Sequence, residues 1–458
     1  MNQTKFLVYF VAFLILQPII DVLTAASLLL LNLNITFGTI IRFLYMALSG
    51  VFLIYMARKS KLSKWYVFYL IGLAAIIVIN IALNMNVKDP YYLFQELKFF
   101  NKVVYFHVVF LGLVIVYKQL KERSWDIEKN TTKYIWLSGI IIGAVFIIAQ
   151  VTGTSLPNYA YYKEGYSGWF FAGNEIGAIM AIVLPIVALY AIERTDNPKK
   201  PWQWIPFVMV SMGMLGLGTK VGYGGILVVL LSVLIGSGIM MIFMKMKTRQ
   251  VKANLIVSFA LTLLLMLVTP FTPVFGNMYA HLDLLDINLS WGNSENIKDE
   301  DDPDGEKEPE ITKEQFENLV FSSREKYLAN FKEDFNSVPI TQKLFGMGFA
   351  GNYEVPEEGK DIKMIEMDFH DLFFSFGWIG FLYLIFPLAF YAIKYVIHFV
   401  RNIKTHFSYI YILYGVAFLL GTGIAFTAGH VLTAPAVSIY LASILAMLVV
   451  RENLIDTK

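Results

Sequence analysis

The chain has 458 residues, 57% of them apolar, 16% aromatic and only 16% charged. A soluble protein is about a quarter charged, so a cytosolic enzyme, a secreted domain and a disordered regulator are excluded. No cysteine is present, which removes thiol catalysis, disulfides and Cys-based zinc sites. The net charge of +2 says little by itself, whereas its distribution says a great deal.

Apolar blocks long enough to cross about 30 Å of hydrocarbon recur along the chain and predict about twelve spans. They lie near Phe6–Leu30, Thr36–Met56, Trp65–Leu83, Phe99–Tyr117, Tyr134–Val151 and Phe170–Ala191 in the first half. Ile205–Leu217, Val221–Met244, Leu255–Val274, Phe373–Val396, Ser408–Ala428 and Val431–Val450 follow. The first block is too long for a signal-peptide h-region and more spans follow, so it reads as a retained span. Lys and Arg cluster at every second connection: Arg58 to Lys64, Lys118 to Lys133, Arg194 to Lys200, Lys245 to Lys252 and Lys394 to Lys404. By the positive-inside rule those connections and both termini are cytoplasmic. The expected fold class is an all-α polytopic membrane protein. Residues 1–275 carry spans one to nine, 276–371 a large extracytoplasmic loop, and 372–458 the last three spans.

That loop opens with an acidic run, Asp299, Glu300, Asp301, Asp302 and Asp304, which reads as a solvated stretch. Its resemblance to a calcium loop fails because Ile311 stands where a bidentate Glu belongs. From Thr312 to Phe335 the pattern becomes helical. Phe316, Leu319, Val320, Tyr327, Leu328, Phe331 and Phe335 recur at spacings of three, four and seven, which predicts an amphipathic helix over the bundle or on the bilayer surface.

An ionisable group near the membrane core costs about 2.5–3.5 kcal/mol at mid-helix, so each needs a partner or a purpose. With the orientation above, Asp21, Arg42, Lys98, Lys102, Glu175, Lys220, His370, Asp371 and His430 all fall near the outer face. Lys98 and Lys102 share one helix face and read either as phosphate ligands or as snorkelling anchors. Arg42 and Asp21 lie at similar depth in antiparallel spans, which suits either a structural ion pair or an arginine reaching a pyrophosphate. Lys220 sits in the glycine-rich turn Gly216-Leu217-Gly218-Thr219-Lys220-Val221-Gly222-Tyr223. There the N-terminus of the eighth span favours an anion, although a lone Lys in an outer turn also reads as simply solvated. His370 closes the long loop in Asp368-Phe369-His370-Asp371, where an imidazole can accept a proton near neutral pH and an adjacent carboxylate would raise its basicity.

These motifs, in this order, resemble the O-antigen ligase and polysaccharide polymerase family of bacterial membrane glycosyltransferases, of GT-C type. The resemblance runs from about Gly173 to Leu384 and rests on five elements. Asn174 precedes a Pro185-containing span, and Thr219-Lys220 stands where the family has Thr/Ser-x-x-Arg. Arg324-Glu325-Lys326-Tyr327-Leu328-Ala329-Asn330-Phe331 suits an element that in the family reads Arg-x-x-x-Trp-x-x-Ala-Leu, and Leu344-Phe345-Gly346-Met347-Gly348 follows it. His370-Asp371 stands for a His-Asn pair before Gly377 and Gly380. Within the family the chain looks closest to Gram-positive capsule, exopolysaccharide or teichuronic-acid polymerases.

The resemblance implies an undecaprenyl-diphosphate-linked oligosaccharide donor, a saccharide acceptor, an extracytoplasmic site in the cytoplasmic membrane, and neither metal nor cofactor. Consistent with that, the residues offer no Rossmann glycine fingerprint and no metal cluster. His370, oriented by Asp371 or a neighbour, is the expected general base. Arg324, Lys220 and Arg42 are expected to stabilise the diphosphate, with Lys98, Lys102 and Asn174 binding substrate. The expected outcome is inversion at the anomeric carbon. The lipid bilayer is the surrounding medium, a flippase and a chain-length regulator are candidate partners, and no nucleic acid is expected. A lipid-linked oligosaccharide flippase or other secondary transporter is the alternative, since about twelve spans with both ends inside also suits carriers. A non-catalytic scaffold of an export complex is a third possibility, one that would tolerate loss of His370.

Overall fold

The computed structural model describes residues 3–33, 35–159, 163–283, 324–352 and 363–455. The acidic run, the calcium-like stretch and the helical positions Phe316, Leu319 and Val320 lie outside them. The first half contributes α1 (Gln3–Leu29), α2 (Phe37–Ala57), α3 (Lys61–Met85), α4 (Leu93–Lys121), α5 (Ile127–Val151) and α6 (Gly173–Ile192). After them come α7 (Ile205–Gly216), α8 (Lys220–Ile242), α9 (Arg249–Val268) and α10 (Pro273–Asp283). The remainder forms α11 (Arg324–Ser337), α12 (Ile340–Phe345), α13 (Asp368–Arg401), α14 (Ile403–His406), α15 (Tyr409–Thr427) and α16 (Pro435–Arg451).

Among the described residues, ten helices are long and apolar enough to cross a membrane. The shorter α7 and α16 stand where spans seven and twelve are expected, so every predicted span has a helix. Two boundaries need correction. The ninth helix ends at Val268 rather than Val274, because Pro270 and Pro273 follow and proline cannot continue a helix. The tenth begins at Asp368, so His370 and Asp371 belong to its first turn rather than to the loop.

Helices that are apolar on every side can be solvated only by protein or lipid, and the bundle uses both. Most of the apolar window of α4 (83%) and α6 (89%) is buried inside the protein, against 22% of that in α3, whose Phe68, Ile71 and Val78 face outward where only hydrocarbon can cover them. α4 packs against α16, and α6 against α15. Small residues let backbones approach: Gly139 of α5 lies against Val183 and Val187 of α6. Hydroxyls then bridge helices, as in Tyr117 to Ser443 at 2.7 Å and Thr132 to Tyr414 at 2.8 Å, a role polar side chains take where water is absent.

The feature that positions the site is a break in α13. Gly377 has φ +66° and ψ −173°, a conformation open to glycine and strained for other residues. Any side chain there would also strike the Gly346 amide and the Lys343 carbonyl. The break frees carbonyls that must be satisfied elsewhere. Met347 N–H bonds Phe374 O at 2.9 Å and Gly348 N–H bonds Ser375 O at 3.0 Å. Asn80 of α3 donates to Ser375 O at 2.8 Å and to Phe345 O at 2.6 Å. Lys88, meanwhile, bonds Glu96 Oε1 at 2.6 Å and Phe349 O at 3.0 Å, and Glu96 Oε2 accepts the Phe349 N–H at 2.6 Å. Leu344–Gly348 is thus stitched into the bundle on three sides.

α11 confirms the described half of the amphipathic pattern. Phe335 packs on Phe373 and Phe374, and Phe331 on Phe374, with ring centroids 5.2–5.8 Å apart. Its apolar stripe therefore lies on the first turns of α13.

Candidate active site

A cavity of about 390 Å³ opens where α6 and α8 begin, α15 ends, and α11 and the 363–366 segment lie across them. Thr219 caps α8, accepting the Gly222 N–H at 3.1 Å, and this sets Lys220 on the first turn with its side chain in the cavity wall. Gly218 has φ +75°, and an added Cβ would meet Glu164 O and Asn277 Nδ2. Asn277 of α10 fastens this turn, donating to Gly218 O at 2.9 Å and Glu164 O at 2.6 Å and accepting the Glu164 N–H at 2.8 Å.

Three of the expected site residues meet here: Lys220, Arg324 and Asn174. Sequence reasoning missed Lys163, Lys363, Glu366 and Asn277, which line the same cavity. Among the described residues, the wall thus carries Lys163, Lys220, Arg324 and Lys363 with the carboxylate of Glu366. Arg324 Nη2 donates to Glu366 Oε2 at 3.1 Å, and His430 Nε2 lies 3.8 Å from the same oxygen, an ion-pair distance rather than a hydrogen bond.

Asp368 holds His430 beside this pair. One carboxylate oxygen accepts the N–H of Val431 and Leu432 at 2.8 and 2.7 Å; the other accepts His430 N–H at 3.1 Å and the Thr433 hydroxyl at 2.6 Å. Burial pushes the His430 imidazole down, and the adjacent Glu366, with Asp368 and Glu175, more than reverses this, so its pKa rises above 6.5. Glu366 moves the other way: contact with His430 outweighs burial and, with Arg324, holds it below 4.5. Opposite charges that favour each other's ionised form produce such a pair.

Other expected residues lie elsewhere. Arg42 is buried and committed: Nη2 bonds Asp21 at 2.5 Å and Nε bonds Gln17 at 3.0 Å, so the ion-pair reading replaces the pyrophosphate one. Lys98 is exposed and Lys102 half-buried on α4, and neither belongs to the cavity wall. Asp371 does not orient His370, because its two oxygens accept the Ile365 and Met367 N–H groups at 2.9 and 3.0 Å. The His370 ring stands 5.4 Å from that of Phe426, next along α15 to Thr427 of the wall. Its Nδ1 is buried and makes no hydrogen bond, and the imidazole itself is outside the wall.

The fold and site together define a polytopic helical membrane protein with a cation-rich cavity at one end of its bundle. It belongs to the O-antigen ligase like membrane protein family, whose family model matches residues 2–454. Membership supports a ligase or polymerase role in the membrane. No curated protein and no solved structure matches the chain.

Proposed function

We propose that the protein is a membrane glycosyltransferase that polymerises or ligates undecaprenyl-diphosphate-linked saccharides at the outer face of the cytoplasmic membrane. The observation that carries this reading is the gathering of Lys163, Lys220, Arg324 and Lys363 around one cavity at the starts of α6 and α8, with Glu366 beside them among the described residues. Such a wall attracts a diphosphate, and donors fixed in advance stabilise the charge that grows on a leaving group. Lys220 and Arg324 take that role, Arg324 being aimed by Glu366, and Asn174 lies within reach of the saccharide.

The acceptor hydroxyl oxygen attacks the anomeric carbon, the bond to the diphosphate oxygen breaks, and undecaprenyl diphosphate leaves with inverted configuration at the new linkage. His370, whose ring packs on Phe426 beside the cavity, takes the hydroxyl proton. Family resemblance supports that assignment, while Glu366 is the carboxylate in the wall and the second candidate. His370→Ala is expected to abolish product while expression and membrane insertion stay normal. If His370→Ala keeps normal yield and Glu366→Gln loses it, the base is Glu366. Purified in detergent with a radiolabelled lipid-linked oligosaccharide, the protein is expected to make longer or transferred product. A carrier would need closed vesicles and leave the label unchanged, which would refute the transferase reading.

A further inference from the structure

A second cluster of chemistry-bearing side chains lies at the other end of α13, roughly 40 Å along the helix from His370. His398 lies in the last turn of that helix, His406 ends the short α14, and Glu452 directly follows α16. Their ligand atoms all lie within 4.8 Å of one another. His398 Nε2 is 3.0 Å and His406 Nε2 3.7 Å from Glu452 Oε2. Two ligands of a tetrahedral zinc ion with bonds of about 2.0–2.1 Å are about 3.3–3.4 Å apart, so the three atoms are near the spacing that such an ion requires.

We propose that His398, His406 and Glu452 form a binding site for a zinc-class divalent metal ion. Two imidazoles and a carboxylate are a donor set suited to zinc and its first-row neighbours. Surrounding groups orient these donors as outer-shell partners of a metal site do. His406 Nδ1 lies 3.2 Å from the Asn402 carbonyl, so Nδ1–H donates there and Nε2 keeps its lone pair facing Glu452. Arg451 holds Glu452 Oε1 at 2.9 Å, and the Tyr411 hydroxyl donates to Oε2 at 2.8 Å, which leaves Oε2 one lone-pair direction for an ion. The two imidazole planes stand at 87° with centroids 5.1 Å apart, so they converge on the carboxylate from different sides. Glu452 is nearly buried, while the imidazoles are about a quarter to a third exposed, which gives an ion a route in.

An ion there would clasp the ends of α13 and α16 to the 402–408 connection. Through Arg451, which also pairs with Glu128 at the start of α5, the clasp reaches a fourth element. The site is independent of the cavity and of the transferase reading, so its test is made without substrate.

The full-length protein, purified in detergent without a polyhistidine tag and stripped with a chelator, is titrated with Co²⁺ followed by its visible d–d absorption, and with Zn²⁺ by calorimetry. About one equivalent is expected to bind, with the intense d–d band of a four-coordinate ion. His398→Gln and His406→Gln should each weaken binding by at least about tenfold, the loss known for outer-shell partners alone, whereas Lys404→Ala should bind as the parent does. Zn²⁺ should raise the Tm of the parent and not of His398→Gln/His406→Gln. Absence of binding tighter than about 1 mM, or equal affinity in parent and histidine variants, would overturn the proposal and leave the cluster a plain ion-paired lock.

Discussion

Two regions of the molecule use the same residue types to opposite ends. In the interlocks under the long connection, charge is matched and dry: Lys88 and Glu96 are 1% and 0% exposed, and Arg42 is shared between Asp21 and Gln17. Around the cavity, charge is gathered and open: among the described residues, Lys163, Lys220, Arg324 and Lys363 share the wall with Glu366. Removing a charge from water is repaid only by a close partner with further hydrogen bonds, a condition the interlocks meet within the protein. A cavity lined with cations also has room for an anion from outside. An ion pair sealed inside the bundle therefore reads as structure, and a group of cations around an open cavity as a candidate binding site.

The largest effect that separates the two regions is on stability. Lys88→Ala would leave Glu96 buried with only the Phe349 N–H, and breaking a buried pair from one side costs about 3–5 kcal/mol. Tm in detergent should fall sharply and expression with it. Lys88→Met combined with Glu96→Gln, which keeps an acceptor for Phe349, should recover most of the loss. A parent-like Tm for Lys88→Ala would show that the interlock does not hold the fold. On the cavity side the ranking reverses. Arg324→Ala and Lys220→Ala should change stability by no more than about 0.5 kcal/mol yet reduce turnover about 10²–10³-fold, the scale of one lost charge-stabilising donor. Lys98→Ala/Lys102→Ala should titrate with donor as the parent does, and a steep loss in that variant would move the diphosphate site to α4.

The helices were legible because each is a run of apolar residues with hydrocarbon-crossing length, a property of composition that needs no partner. Arg324 was singled out through the family resemblance and Lys220 through its glycine-rich turn, and the structure puts both on the cavity wall. Glu366, Lys163 and Lys363 were not legible, since they sit in connections whose path depends on contacts remote in sequence, and Asn277 was not, since the docking of the short α10 that carries it depends on such contacts too. The loop carrying Glu366 is set by Asp371 and by the apolar packing of Ile365 and Met367 under Phe335. Asp368 gave one unused signal: an acid at a helix start is common, and here it instead gathers four donors from residues 430–433. Arg42 stayed ambiguous because an ion pair and a substrate ligand put the same residue types at the same depth.

The smallest expected effect is a pH dependence that belongs to the cavity region alone. His430 is raised above 6.5 in the folded protein, so its contribution to stability is fully present below 6.5 and fades as pH climbs through the raised value. Glu366 is lowered from 4.5, so its contribution is present above 4.5 and fades as pH falls through the lowered value. Between 4.5 and 6.5 both groups are charged and the pair is at full strength. Glu366 is half exposed, which limits the pair to about 0–1 kcal/mol. Glu366→Gln removes the main influence holding His430 up and leaves burial to push it down. The Tm gap between parent and Glu366→Gln should therefore be widest near pH 6 and narrow as pH rises above 6.5, while Lys88→Ala should lie below the parent by a similar margin across that range. A gap that widened towards alkaline pH would mean that His430 is neutral in the native state.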